Sequence, residues 1–404
     1  MKTELTFTEL KPFLTHMIKS NKDLQAKGIM PVAVELVGEA GIGKTTFLKS
    51  LALDTESHLE KISLSQFEEL GDLTGYPTRE FQMYKTVKNK EGVLVKRKAW
   101  IDAKLVEEFK LKGFISTGQH KMGYSKPEWV VNCHEAAKKG KGVIVLLDDF
   151  SRAQQRFIQA TMEIIDQQEF ISWKLPLGTT ILLSSNPDNG DYQVTSQDEA
   201  QKTRYISQTV CFDIETWALW AEEAGIDERC INFSLMNAEL FENEGINARS
   251  ATKFFNSIST IENFSDELPL ISMIGEGSVG PEFATMFSLF INNKLDKLLS
   301  PEFMLEDANY TKVRSQVKAC TGTQDDYRAD IGSVLSTRIV NYIKVKSQQT
   351  PPGKKLIDRV SELLSDQDLF SNDLNYFMAR AIVGSHSKFK ILAMKDGISQ
   401  MITA

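Results

Sequence analysis

The sequence predicts an α/β fold in which a parallel sheet carries helices on both faces and is followed by a helical domain and a mainly helical C-terminal third. Three observations carry this. Mainly apolar runs stand at Val32–Val37, Val143–Leu147 and Thr180–Ser184, and strands buried on both faces read as near-continuous runs rather than alternating ones. The first run passes through Gly38, Gly41 and Gly43 into a segment of helical character, Thr45 to Leu53, and short strands separated by helices are the pattern of a parallel sheet. From Ile214 onward the apolar residues fall at helical spacing.

Residues 5–26 set Leu10, Phe13, Leu14, Met17 and Ile18 at helical intervals and close at Gly28 before Pro31, so a helix leads into the first strand. The second and third runs end at Asp148-Asp149 and Ser185-Asn186-Pro187. The stretch of about 65–142 is longer than one strand and one helix use, so it holds an insertion. Trp217, Leu219, Trp220, Ile231, Phe233, Leu235, Leu240 and Phe241, then Ser250 to Ile261, predict a small helical domain. The rest, 266–404, is helical by spacing, as in Phe283–Phe290 and Ile331–Ile343, with breaks expected at Gly275–Gly277, Gly322 and Pro351–Gly353.

Composition bounds the function. With 404 residues, 47 Lys+Arg against 54 Asp+Glu and a net charge of −7, the chain is an ordinary globular one of two or three domains at roughly 100–200 residues each. No stretch approaches the ~18 apolar residues of a membrane span. Mild acidity excludes a generally basic nucleic-acid coat but not a local basic surface. Cys133, Cys211, Cys230 and Cys320 form no CxxC pair, so neither a disulfide framework nor a zinc ribbon is expected, and a reducing, cytoplasmic location fits. The N-terminus, interrupted by Glu4, Glu9, Lys11 and Pro12, lacks the apolar core of a secretory signal. Adjacent Cys133 and His134 point apart on a helix, so core packing is expected there rather than a metal.

Gly38-Glu39-Ala40-Gly41-Ile42-Gly43-Lys44-Thr45 satisfies the phosphate-binding pattern G-x-x-x-x-G-K-[ST] and sits between a predicted strand and a predicted helix. Glycines let successive backbone N–H groups curl around a phosphate, Lys44 neutralises its oxygens, and the Thr45 hydroxyl holds Mg²⁺. Such a site needs a carboxylate on a neighbouring strand, and Asp148 ends the second run where it belongs. For Asp149 two readings stand: it orients or deprotonates the attacking water, or it caps the next helix. Asn186 likewise either contacts the water and γ-phosphate or forms a turn before Pro187.

In order, GEAGIGKTT, VIVLLDDFSRA, LPLGTTILLSSNPDNGDYQV, DEAQKTRY and INARSATKFF resemble the AAA+ ATPases, most nearly their MoxR and dynein-related branch, over roughly residues 28–262. The resemblance implies ATP and Mg²⁺ as cofactors, with Gly38–Thr46, including Glu39, Ala40, Ile42 and Thr46, around the nucleotide. It implies a sensor role for Asn186. Arg204 in DEAQKTRY resembles an arginine finger that reaches the γ-phosphate of a neighbouring subunit, which implies a homo-oligomer, expected to be a hexamer. Arg249 resembles the sensor-2 arginine of a lid. Asp149 stands where the family has Glu, and the shorter side chain implies slower hydrolysis. The domains then read as an N-terminal helical segment (1–27), an AAA+ α/β domain (28–214), a lid (215–265) and a helical C-terminal domain without an assigned role (266–404).

The insertion bears on the partner. Arg79, Lys85, Lys88, Lys90, Lys96, Arg97, Lys98 and Lys104 stand against Glu80, Glu91 and Asp102, with Tyr76, Phe81, Tyr84 and Trp100 interleaved. That pattern is compatible with nucleic acid, while a solvated, hairpin-like face is its more common explanation. Gly118–Lys126 is expected as a loop, and Phe170–Pro176 as a hairpin. The leading expectation is an oligomeric Mg-ATPase that remodels an unidentified protein partner, as MoxR-like proteins do. The alternatives are a DNA-associated motor or loader acting through Arg79–Lys104, and a slow-hydrolysing nucleotide switch or scaffold.

Overall fold

A computed structural model describes residues 4–88, 92–190, 192–195, 198–241, 246–292, 299–322, 326–395 and 398–399. Lys90 and Glu91 of the basic stretch lie outside these. In chain order the first unit, Met1–Cys211, runs α1 (Phe7–Ala26), β1 (Ala33–Val37), α2 (Lys44–Asp54), β2 (Ser57–Ser63), α3 (Leu70–Thr74), β3 (Pro77–Lys88), β4 (Leu94–Asp102), α4 (Val106–Leu111), β5 (Ile115–Tyr124), α5 (Glu128–Lys138), β6 (Gly142–Asp148), α6 (Gln155–Gln167), β7 (Glu169–Phe170), β8 (Trp173–Lys174), β9 (Thr179–Ser185), α7 (Glu199–Lys202) and β10 (Tyr205–Thr209).

Among the described residues, five strands form a parallel sheet in the order β10-β1-β9-β6-β2. The three expected strands are its centre. β6 and β9 are buried almost throughout, because their alternate side chains face helices on both sides. Val143, Val145, Leu147, Ile181 and Leu183 pack with Trp129 and Val130 of α5 and Phe157 and Ile158 of α6. Cys133 belongs to this core, and burial pushes its thiol up to about 12. Leu10, Leu14, Leu48 and Leu51, from α1 and α2, are buried as well. α1 is fastened to the sheet by Asn21, whose side chain donates to the Val32 carbonyl and accepts from the Val32 N–H, both at 2.9 Å.

The chain between β2 and β6 carries a separate antiparallel sheet, β4-β3-β5. Gly118–Lys126, expected as a loop, is largely strand β5. Its ladder to β3 absorbs an irregularity between Phe81 and Met83, and Gly118 takes a positive φ of 80°. The expected hairpin at 170–176 forms as β7–β8. It is anchored by buried Trp173, whose indole N–H donates to the Thr74 carbonyl at 2.9 Å.

The second unit, Phe212–Ala404, comprises α8 (Ile214–Glu223), α9 (Glu228–Met236), α10 (Ala248–Ile258), α11 (Leu268–Val279), α12 (Pro281–Asn292), α13 (Pro301–Glu306), α14 (Tyr310–Thr321), α15 (Ala329–Gln349), α16 (Lys354–Ser365) and α17 (Asn372–Ser385). The segment read as a lid, 215–265, does not close a core of its own. Phe283, Phe287 and Phe290 of α12 pack with Phe233, Phe254 and Phe255. The break expected at Gly275–Gly277 is instead interior to α11: a Cβ on Gly275 would stand 2.9 Å from the Ala284 Cβ, so glycine serves close helix packing there. Breaks do occur at Gly322 and at Pro351–Gly353. Among the described residues no helix is long and apolar enough to cross a membrane.

Arg338 of α15, 2% exposed, donates to Glu222 (2.9 Å), Asn232 (3.0 Å) and Glu228 (3.3 Å) on α8 and α9. Arg338→Ala is expected to destabilise this unit by about 3–5 kcal/mol, since it leaves a largely buried carboxylate unpaired. Urea unfolding of the two chains checks it; a loss under about 1 kcal/mol contradicts it.

Candidate nucleotide and metal site

The loop Gly38–Gly43 leaves the C-terminal end of β1 and delivers Lys44 as the first residue of α2. Gly38 is required by space: a Cβ would lie 2.6 Å from the Val210 carbonyl oxygen. Its N–H donates to the Ser185 carbonyl at 3.1 Å, tying the loop to the end of β9. Gly43, at a φ of 105°, is the N-cap of α2 and supplies no side-chain cap. The first N–H groups of α2 therefore form an uncapped positive helix end, suited to an anion. Lys44, buried, holds its ammonium on the Gly38 (2.5 Å) and Glu39 (2.9 Å) carbonyls.

Opposite the loop stands Asp148, the last residue of β6 and buried. The Thr45 hydroxyl lies 3.4 Å from each of its carboxylate oxygens. Hydroxyl and carboxylate are hard oxygen donors that fit Mg²⁺, which is usually held by one or two carboxylates together with phosphate oxygens and water. β9 runs between β1 and β6, pairing Val37 with Ser185 and Leu147 with Leu183. Asn186, the next residue, therefore emerges between the phosphate loop and Asp148. It is buried, and its N–H donates to the Ser151 hydroxyl at 3.0 Å. Below it the Ser185 hydroxyl donates to the buried Glu35 carboxylate at 2.7 Å. Burial, reinforced by Glu35, raises the Tyr205 phenol above its ordinary value.

Asp149 adopts the left-handed region, φ 52°, which Asp tolerates better than most residues. Its carboxylate makes no capping bond to the turn that follows, so the helix-capping alternative fails.

Two residues at this site have no signal in the sequence. Lys61 of β2 forms an ion pair with Asp148 at 2.8 Å, brought there by the pairing of β2 with β6 in which Ser63 stands opposite Asp148. Tyr192 donates its hydroxyl to Glu39 and accepts the Ala40 N–H at 3.2 Å, closing over the loop. Only the pairing of a lysine-bearing strand with the Asp strand marks Lys61, and that pairing is not local.

Arg204 is not at this end of the sheet. It precedes β10, where Tyr205 pairs with Ala33 at the start of β1, whereas Thr209 pairs with Val37 beside the loop. From Arg204 to Thr209 is five residues, about 16 Å along the sheet. Its guanidinium donates to the Ala200 carbonyl. Arg249 lies in the second unit, exposed in the first turn of α10 after the Asn247 cap. A cation there opposes the helix dipole, so helix stability does not account for it.

The chain matches no family model and no curated protein. Among solved structures it is similar to a RuvB mutant from Thermotoga maritima, with a TM-score of 0.33 and 11% identity over 76% of this chain and 80% of that one. At that score the likeness decides neither family nor activity.

Proposed function

We propose that the chain is a Mg²⁺-dependent ATP hydrolase of the AAA+, MoxR-like type that works as a homo-oligomeric ring, a hexamer, and remodels a protein partner. The observation that carries the chemistry is the meeting of Thr45 and Asp148 beside an uncapped helix end that holds Lys44. In this reading Gly38–Thr46 wraps the phosphates, and Lys44 exchanges its carbonyl partners for phosphate oxygens. Thr45 and Asp148 hold Mg²⁺, which when bound neutralises developing charge on the phosphates. Asp149 takes up or orients a proton of the attacking water, and Asn186 holds that water from between the two strand ends. Arg249 takes the sensor-2 role that its place in the sequence resembles. Arg204, about 16 Å along the sheet from its own loop, serves a neighbouring subunit, and this supports the ring.

ATP hydrolysis measured against protein concentration, with and without DNA, tests the reading. Turnover that rises with concentration supports a shared site. Tight binding without turnover overturns it in favour of the nucleotide switch that the shorter Asp149 suggests. The DNA-associated reading is favoured by one observation, the open basic and aromatic face of the inserted sheet.

Lys61 competes with the metal for Asp148. Lys61→Ala is expected to lower the Mg²⁺ or Mn²⁺ concentration for half-saturation of the nucleotide-loaded protein by roughly two- to five-fold, the worth of a partly exposed pair. Electron paramagnetic resonance of bound Mn²⁺ reads this directly, and an unchanged or weaker affinity rejects it.

A further inference from the structure

The inserted sheet has two unlike faces. Cross-strand partners share a face, and the register puts Phe81 with Ile101 and His120, Met83 with Ala99, and Lys85 with Arg97 on one side. That side is partly covered: Met83 and Ile101 are buried, and Lys85 donates to the Lys112 carbonyl at 2.7 Å while lying over Phe114. The other side carries Gln82 with Trp100, Tyr84 with Lys98, Thr86 with Lys96 and Lys88 with Leu94. It is open, with Trp100 39% exposed and Lys88, Lys96, Lys98 and Lys121 exposed. The basic run of the sequence is thus divided: Arg79, Lys85 and Arg97 belong to the first face.

On the open face Tyr84 and Trp100 are diagonal neighbours on adjacent antiparallel strands, about 7–8 Å apart. Each ring has an ammonium over one of its faces, Lys96 at 4.9 Å from the Tyr84 centroid and Lys121 at 4.9 Å from that of Trp100, so a base stacks on the other face or displaces the lysine. Glu80 partly neutralises Lys121 at 3.4 Å, and Asp102 pairs with Glu80 across the strands at the same end. Lys88, Lys96 and Lys98 form the cationic end. Neighbouring rings on an open antiparallel sheet, flanked by cations, match what unstacked bases and their phosphates require. A duplex hides its base faces from such rings.

We propose that this face binds single-stranded nucleic acid, with Tyr84 and Trp100 stacking successive bases while Lys88, Lys96 and Lys98 contact the phosphates. The proposal deepens the nucleic-acid reading above. Because it is tested without nucleotide, on the full chain and on its Asp148→Asn variant, its failure is separate from any failure of turnover.

Fluorescence anisotropy with a labelled 15-residue oligo(dT) or oligo(U) is the experiment. Three phosphate contacts on a single strand predict roughly 20-fold weaker binding at 200 mM than at 50 mM salt. Trp100→Ala and Tyr84→Ala are each expected to weaken binding at least about five-fold, the low end for one lost base stack. Tyr84→Phe keeps the ring and is expected to retain binding, which guards against misfolding as the cause. Arg79→Ala, on the other face, is expected to change binding less than two-fold. No binding at 50 mM salt overturns the proposal. So does duplex binding as tight as single-strand binding with no effect of Trp100→Ala, which would reduce the face to a general cationic surface. Competition by poly(L-glutamate) as effective as that of unlabelled oligo(dT) also overturns it, in favour of an acidic protein partner.

Discussion

Replacing Asp148 with Asn is expected to leave nucleotide binding within a few-fold while lowering Mg²⁺-dependent hydrolysis by on the order of 10²–10³, the worth of several kcal/mol of metal-borne charge stabilisation. The substitution keeps the size of the side chain at the end of β6 but removes the charge that both Thr45 and Lys61 face. Circular dichroism separates a folding defect from a catalytic one, since Asp148 closes a buried strand. Asp149→Asn is the informative companion: it leaves the Thr45–Asp148 pair in place, so loss of turnover with intact Mg²⁺ binding assigns Asp149 to the water. If Asp148→Asn hydrolyses ATP within ten-fold of the parent, the metal is held elsewhere and the proposed chemistry fails.

Arg204→Ala is expected to cost 10³–10⁵ in turnover, the range for an arginine that meets the transferred phosphoryl group. Nucleotide affinity is expected to hold, because Arg204 stands at the start of β10, away from its own loop. The decisive experiment mixes two inactive chains, Arg204→Ala and Lys44→Ala. In a mixed ring an intact phosphate loop on the first chain meets an intact Arg204 on the second, and activity returns to a fraction of the parent value. Recovery in the mixture supports a site shared between subunits. An Arg204→Ala chain that turns over normally by itself makes Arg204 a surface residue held by the Ala200 carbonyl and removes the argument for assembly.

The sequence by itself determined the parts whose physics is local. The phosphate loop needs contiguous glycines, a lysine and a threonine between a strand and a helix, and all of these are adjacent in the chain. The three central strands were legible because burial on both faces leaves near-continuous apolar runs. β2 and β10 were not, since β2 is only partly buried along its length and β10 lies at the sheet edge. The glycines at 275–277 misled for a related reason: glycine marks a turn and a close helix approach alike, and only the position of Ala284 tells which.

Tertiary structure decided what those parts meet. Thr45 and Asp148 are 103 residues apart, and Tyr192 reaches Glu39 across 153. Strand order placed Asn186 between the loop and Asp148, set Lys61 on the same carboxylate, and carried Arg204 to the far end. Pairing register divided the basic run of the insertion between the two faces of its sheet. Periodicity tells which side of an element is buried but not which element lies against it, because pairing is a long-range choice made by the whole core.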